Sequence, residues 1–225
     1  MKIFVLLSRI PWPLEKGDKL RAFNQIKSLS RNHEIFLCAL NDDASVDKNE
    51  AKQRLLPYCK EIEFIDLPKI KILWNLALAF LKGMPIQCGY FYNKNAHSCI
   101  HNFIQRVQPD MLYGQLVRVA PYLQKEKCKK TIDYQDVLSY GMKRRMNTAS
   151  FYKRPIFNME YKRLQQFERQ IFDEFDVKTI ISDSDRQLID HPRRNEIVIV
   201  PNGVDFEHFT PKDSSKIYDV VFTGN

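Results

Sequence analysis

Short runs of nearly unbroken apolar residues recur along this chain of 225 residues. Between them lie longer stretches in which apolar positions return every three or four residues. Runs of the first kind read as strands buried on both faces. They predict strands over 3–7, 34–40, 62–67, 111–113, 131–133, 177–181 and 197–200. Stretches of the second kind predict helices over 18–31, 50–58, 71–82, 95–107, 155–175 and 183–190. The first helix carries Leu20, Phe23, Ile26 and Leu29, with Asp18 as a cap at its start and Asn32 at its end. Proline or glycine closes several of the others: Pro57, Gly83 and Pro85, and Pro109.

Strands alternating with helices imply parallel crossovers. The expected fold is α/β, a Rossmann-like, doubly wound and mostly parallel sheet of about seven strands. Residues 1–205 are expected to form this domain. After the turn Val200-Pro-Asn-Gly-Val-Asp205, residues 206–225 read as a linker and the first strand of a second domain. The chain then looks like one half of a two-domain machine, cut just after the hinge.

Charge narrows the partners. The formal net charge is +8, and the pI is about 9.2. This favours nucleotide phosphates, anionic lipid headgroups or nucleic acid. Residues 141–170 hold eight Lys/Arg against Glu160 and Glu168. That segment matches no nucleic-acid-binding module, so nucleic acid is not an expected partner. Five scattered cysteines without C-x-x-C spacing read as free thiols in a reducing cytoplasm. The N-terminal apolar run is too short for a signal peptide. The apolar stretch 70–81 contains Lys71 and Asn75 and is too short to span a bilayer. Any membrane contact is therefore expected from the surface, on the inner face of the cell membrane. Leu73, Trp74, Leu76, Leu78, Phe80 and Leu81 read either as core packing or as an apolar docking face.

In open parallel sheets, ligands bind beyond the carboxyl ends of the strands. Four loops lie there. The first, 8–21, carries Gly17, Asp18 and Arg21, and a helix start that offers free N–H groups. It is neither a G-x-G-x-x-G nor a G-x-x-x-x-G-K-[ST] motif. It reads as a phosphate or sugar contact, or as a rigid proline-rich connection. The second, 113–122, carries Gly114, Gln115 and Arg118, the last either a ligand contact or an exposed helix charge. The third places Asp133 and Asp136 at a strand end, where a carboxylate can accept a proton from a hydroxyl or hydrogen-bond a sugar. Asp136 can alternatively cap the helix that follows. The fourth, Ser182 to Arg186, reads mainly as a cap. His97 and His101 share a helical face, but no carboxylate in the sequence pattern completes a site, and no metal is expected. No G-x-S-x-G elbow is present.

Several of these segments resemble one family. They are Pro11-Trp-Pro-Leu-Glu-Lys-Gly-Asp-Lys-Leu-Arg21, the segment from Tyr113 to Tyr122, the helix from Glu160 to Glu168, and the hinge Val200-Pro-Asn-Gly-Val-Asp205. Together they resemble the N-terminal domain of group 1 (family 4) glycosyltransferases of GT-B architecture. The first loop most resembles the branch associated with bacterial exopolysaccharide systems. The resemblance implies a twin-Rossmann sugar transferase of hexosyltransferase type. Its N-terminal domain binds the acceptor, and its C-terminal domain holds the nucleotide sugar through a glutamate pair. A nucleotide-sugar donor is then a co-substrate, and no cofactor is implied. Gly17 takes the place of the glycine that approaches the donor diphosphate or the acceptor, although relatives often carry Gly-Gly where this chain has Gly17-Asp18. Relatives commonly carry His-Asp after the fifth strand, where this chain has Gln135-Asp136. Asp133 or Asp136 is then the expected sugar contact. Asp18, Arg21, Gln115, Arg118 and Asn202 of the hinge join Gly17 as expected substrate-binding residues.

The implied role is cell-surface polysaccharide or glycolipid synthesis, with retention at the anomeric centre. The acceptor would be a sugar or a lipid-linked sugar. The isolated chain is expected to be inactive. The competing reading is a non-catalytic module that recognises sugars, lipid headgroups or a partner chain.

Overall fold

Period-two alternation in the first strand builds both halves of the core. The computed structural model describes residues 1–204 and Thr210. Its strands are β1 (Lys2–Leu7), β2 (Glu34–Asn41), β3 (Glu61–Asp66), β4 (Met111–Gln115), β5 (Lys129–Asp133), β6 (Val177–Ile180) and β7 (Val198–Ile199). On β1, Ile3, Val5 and Leu7 enter one buried cluster, while Phe4 and Leu6 enter the other. A strand buried on both faces must be apolar throughout, which is why it is legible as an unbroken run.

All seven strands are parallel, in the order β3-β2-β1-β4-β5-β6-β7. This is the expected Rossmann-like, doubly wound architecture. The chain builds outward from β1 to β3, then returns to β4 and builds the other way. The reversal opens a crevice between the carboxyl ends of β1 and β4.

Helices α1 (Gly17–Leu29) and α2 (Lys48–Leu55) cover one face through Ala22, Ile26, Ala51 and Leu55. The other face carries α3 (Lys69–Leu81), α4 (Ile86–Phe91), α5 (Lys94–Val107), α6 (Ala120–Leu123), α7 (Leu138–Thr148) and α8 (Arg154–Glu174). A short α9 (Asp183–Leu188) follows β6, capped as expected by Ser182, whose hydroxyl accepts from the Asp185 N–H at 3.1 Å.

Two expected helix starts shift. Asp47 accepts from the N–H groups of Asn49 and Glu50 at 2.9 and 3.0 Å, so α2 begins two residues early. Asp18 does not cap α1, which starts at Gly17 with Lys16 as its flanking residue and ends at Leu29 rather than near Asn32. The Asp18 carboxylate lies in the first turn, where negative charge suits the helix dipole, and pairs with Arg9 at 3.1 Å. Gly114 is a packing residue within β4: a Cβ there would meet Leu123 at 3.0 Å and Val119 at 3.2 Å.

The expected linker and second-domain strand over 206–225 lie outside the described residues, Thr210 apart. All five cysteines are free. Among the described residues, no helix is long and apolar enough to cross a membrane.

Candidate functional site

The strand ends bring the predicted loops together. Leu7 of β1 pairs in register with Gln115 of β4, and Gln115 pairs with Asp133 of β5. The Gln115 amide donates to the Asp18 carbonyl at 3.2 Å, which seats the start of α1 over the end of β4. Gly17, Asp18, Arg21, Gln115 and Asp133 thus share one rim. Two residues that follow these strand ends, Leu116 and Gln135, are held at φ 67° and 59°. Side chains rarely adopt this region, and each such residue costs of order 1–3 kcal/mol. Strain of this kind collects at functional sites.

Asp133 is completely buried. Its carboxylate accepts from Arg21 Nε at 2.8 Å and Nη2 at 3.2 Å, Gln25 Nε2 at 3.1 Å and Thr179 Oγ1 at 2.9 Å. The Tyr113 hydroxyl lies 3.0 Å from it and 2.9 Å from Gln25 Oε1, so its single proton serves one at a time. Burial, reinforced by the Asp133 charge, holds the Tyr113 hydroxyl well above its usual pKa. In this arrangement Asp133 touches no open space. It acts by orienting Arg21, whose Nη1 donates to Asn202 Oδ1 at 2.8 Å. Arg21 and Asn202, both expected to bind substrate, are bound to one another. Together they clasp the hinge segment to the sheet.

The open chemistry lies beside this clasp. A cleft of about 600 Å³ is walled by residues from six segments, one of them Asp42 after β2. Arg9 follows β1, Gln87 comes from α4, Arg118 from the turn after β4, Asp136 from the loop after β5, and Arg144 and Arg145 from α7. The guanidinium groups of Arg9 and Arg118 stack at 5.7 and 5.3 Å from the same ring, Phe91. Arg118 Nη2 donates to Gln87 Oε1 at 3.1 Å, while its Nε is buried without a partner. It is half-buried, not an exposed helix charge. Burial and then the Arg9 charge push its pKa down. Arg9 is paired with Asp18 at 3.1 Å and lies 3.9 Å from Asp42, so the unmade hydrogen bond of Arg118 is the feature that favours an anion here.

Asp136 opens to the same cleft. Lost hydration pushes its pKa up, against the pull of Arg118. It does not cap α7: that helix follows Val137 without a side-chain cap from its own segment, and its Ser139 N–H is bound by Glu168 of α8 at 3.1 Å. Sequence patterning singled out Arg118 and Asp136 but not Arg9, Gln87, Arg144 or Arg145. The excess of basic residues over 141–170 was the available signal for the last two.

Gly17 faces a smaller hollow of about 330 Å³, between α1 and the segment Val200 to Gly203. A Cβ on Gly17 would meet nothing within 4 Å, so the chain leaves this place open. On α5, His101 Nδ1 lies 2.7 Å from Glu126 Oε1, a carboxylate that the sequence pattern did not bring near. No group of three metal-ligating side chains occurs among the described residues.

No family model matches the chain, and no curated protein matches it by sequence. Solved structures match it in fold. A sucrose-phosphate synthase from Thermosynechococcus elongatus superposes with a TM-score of 0.58 at 11% identity, over 94% of this chain and 51% of that one. Medicago truncatula UGT71G1, complexed with UDP-glucose, gives 0.51 at 13% identity, over 97% of this chain and 54% of that one. The chain shares with them a Rossmann-like α/β fold. It spans about half the length of the solved structures it matches, as expected for one Rossmann-like half of a GT-B architecture. At this identity the likeness is one of fold alone.

Proposed function

We propose that residues 1–205 form the acceptor-binding lobe of a nucleotide-sugar-dependent glycosyltransferase, and that residues 206–225 lead into the lobe that holds the donor. The observation that carries this reading is the convergence of Arg9, Arg118, Arg144 and Arg145 on one open cleft at the strand ends. The acceptor it suits is a sugar bearing a phosphate or diphosphate, such as a lipid-diphosphate-linked sugar. Arg9 and Arg118 hold the phosphate by charge-assisted hydrogen bonds and so fix the sugar beside Asp136.

In the reaction, an acceptor hydroxyl forms a bond to the anomeric carbon of the donor. The bond to the nucleoside diphosphate breaks, and the leaving group takes its electron pair. The hydroxyl proton passes to Asp136, whose raised pKa makes it a stronger base than an ordinary carboxylate, or to the departing phosphate. Retention at the anomeric centre, hexosyl transfer, and a role in cell-surface polysaccharide or glycolipid synthesis rest on the resemblance of the first loop and the hinge.

The test is equilibrium binding of an alkyl-diphosphate-linked hexose against the same hexose on a neutral alkyl group. The diphosphate form should bind more tightly, and Arg118→Ala should weaken it by about tenfold or more while leaving the neutral form unchanged. Equal affinity for the two ligands in the unaltered chain refutes the reading. A protein that binds the diphosphate form yet transfers sugar from no nucleotide sugar is the non-catalytic module instead.

A further inference from the structure

One helix presents an apolar face to water. On α3, Trp74, Ala77, Leu78 and Leu81 fall at i, i+3, i+4 and i+7, a single stripe, and all are exposed. Trp74 is 72% exposed and Leu81 79%, while Ile72 and Ala79 on the opposite side are buried in the core. The helix is thus amphipathic in an unusual sense: both of its faces are apolar, and one has no partner within the described residues.

This stripe continues onto α8. Phe80, at the edge of the stripe, lies under the Arg163 guanidinium at 5.0 Å, and Arg163 also donates to the Phe80 carbonyl at 3.1 Å. Ile156 is seven residues before Arg163, on the same side of α8, roughly 10 Å along the axis. It is exposed, as are Phe151 and Tyr152 just ahead of the helix. Exposed apolar groups therefore run from α3 to the α7–α8 connection.

The charges around this surface have one sign. α3 contains no acidic residue. Over 141–170 the only acids are Glu160 and Glu168. Both are buried and bind backbone N–H groups: Glu160 those of Ile86 and Gln87, Glu168 that of Ser139. Solvent meets Lys82, Lys143, Lys153, Arg154 and Lys162 with no carboxylate from this segment among them.

We infer that this surface seats the protein on a lipid bilayer containing anionic lipids, Trp74, Leu78 and Leu81 entering the headgroup boundary and the lysines meeting the headgroups. A second copy of the chain is disfavoured, because it would oppose one cationic rim to another. A nucleic acid would use the charge and leave the apolar stripe wet. The inference is independent of sugar transfer: it concerns a face other than the arginine cleft.

The test uses the full chain and vesicles of phosphatidylcholine with or without phosphatidylglycerol. The chain should co-sediment with the anionic vesicles and far less with phosphatidylcholine alone. In a Trp12→Phe background the remaining tryptophan, Trp74, should shift to shorter emission wavelength when anionic vesicles are added. Two pairs of exposed substitutions, Trp74→Ser with Leu81→Ser and Lys153→Glu with Lys162→Glu, should each weaken vesicle binding by about tenfold or more. Both variants should keep the circular dichroism of the parent. Failure of the parent chain to bind phosphatidylglycerol vesicles overturns the inference. So does full binding by both variants, or a Trp74 shift that follows protein concentration without lipid, which would reveal a dimer face.

Discussion

At the scale of single residues, two carboxylates three positions apart in the third loop, Asp133 and Asp136, separate by environment. Asp133 is buried under four donor contacts from Arg21, Gln25 and Thr179, whereas Asp136 opens to the arginine cleft. Asp133→Asn leaves Arg21 buried with a broken ion pair, a change of the kind that costs about 3–5 kcal/mol. Its midpoint in urea should fall sharply. Asp136→Asn should leave that midpoint nearly unchanged and, on the proposed function, lower sugar transfer, because it removes the proposed proton acceptor without disturbing the core. Equal denaturation midpoints for the two variants would contradict this division. Gly17→Ala offers the complementary case. Nothing in the chain occupies its Cβ position, and alanine restricts the unfolded chain, so stability should stay level or rise by about 0.5 kcal/mol. A loss of ligand affinity at unchanged stability would then report a ligand against α1. Residue types alone did not separate Asp133 from Asp136, since the arginine that neutralises Asp133 lies 112 positions away in sequence.

At the scale of elements, α8 governs two neighbours through buried glutamates. Glu160 accepts from the first N–H groups of α4 at 2.8 and 3.0 Å, and Glu168 from Ser139 in α7 at 3.1 Å. These helices supply Gln87, Arg144 and Arg145 to the cleft. Helix α4 was not legible in the sequence, and α7 was legible only as a helix that Asp136 could cap; the caps show why. Neither helix has a local side-chain cap, Asp136 included, and the groups that satisfy the helix starts stand 74 and 29 residues downstream. The central strands β1 and β2 were legible because burial on both faces demands an unbroken apolar run, which needs no distant partner. Burial raises the Glu168 pKa from 4.5 to about 7, against the pull of its bond to Ser139. The folded state therefore holds a proton that the unfolded state has released between these values. Stability should decline as pH rises through that window, by up to about 3 kcal/mol from this group, and level off above it. Glu168→Gln removes the titration, so the difference in melting temperature between variant and parent should widen in favour of the variant from pH 4.5 to 7. A constant difference across that range would mean that Glu168 does not titrate there. Glu160→Ala, which strands two half-buried N–H groups, should destabilise by about 1–2 kcal/mol at any pH near neutral.

At the scale of the whole molecule, the sheet separates the proposed ligand cleft from the segment that follows β7. The arginine cleft lies around Phe91, between α4 and α7. The clasp of Arg21 and Asn202 lies against α1, where Val200 leaves the sheet edge with its N–H bonded to the Ile180 carbonyl at 2.8 Å. Topology brings both to one rim, but among the described residues Asn202 is hydrogen-bonded to Arg21 and to none of the cleft arginines Arg9, Arg118, Arg144 and Arg145. If the proposed second lobe follows this segment, the clasp fixes the angle at which it approaches, and the cleft fixes the acceptor independently. Asn202→Ala removes a hydrogen bond to a charged donor worth about 1.5–3 kcal/mol. Hydrogen exchange at the Val200 amide should accelerate by about tenfold or more, because local opening there becomes easier. Affinity for the diphosphate-linked hexose should not change. In the proposed two-lobe transferase, kcat should fall while the acceptor Kd holds, the signature of a hinge rather than of a binding contact. A fall in acceptor affinity with unaltered exchange at Val200 would place Asn202 at the acceptor after all, and the clasp would lose its mechanical role.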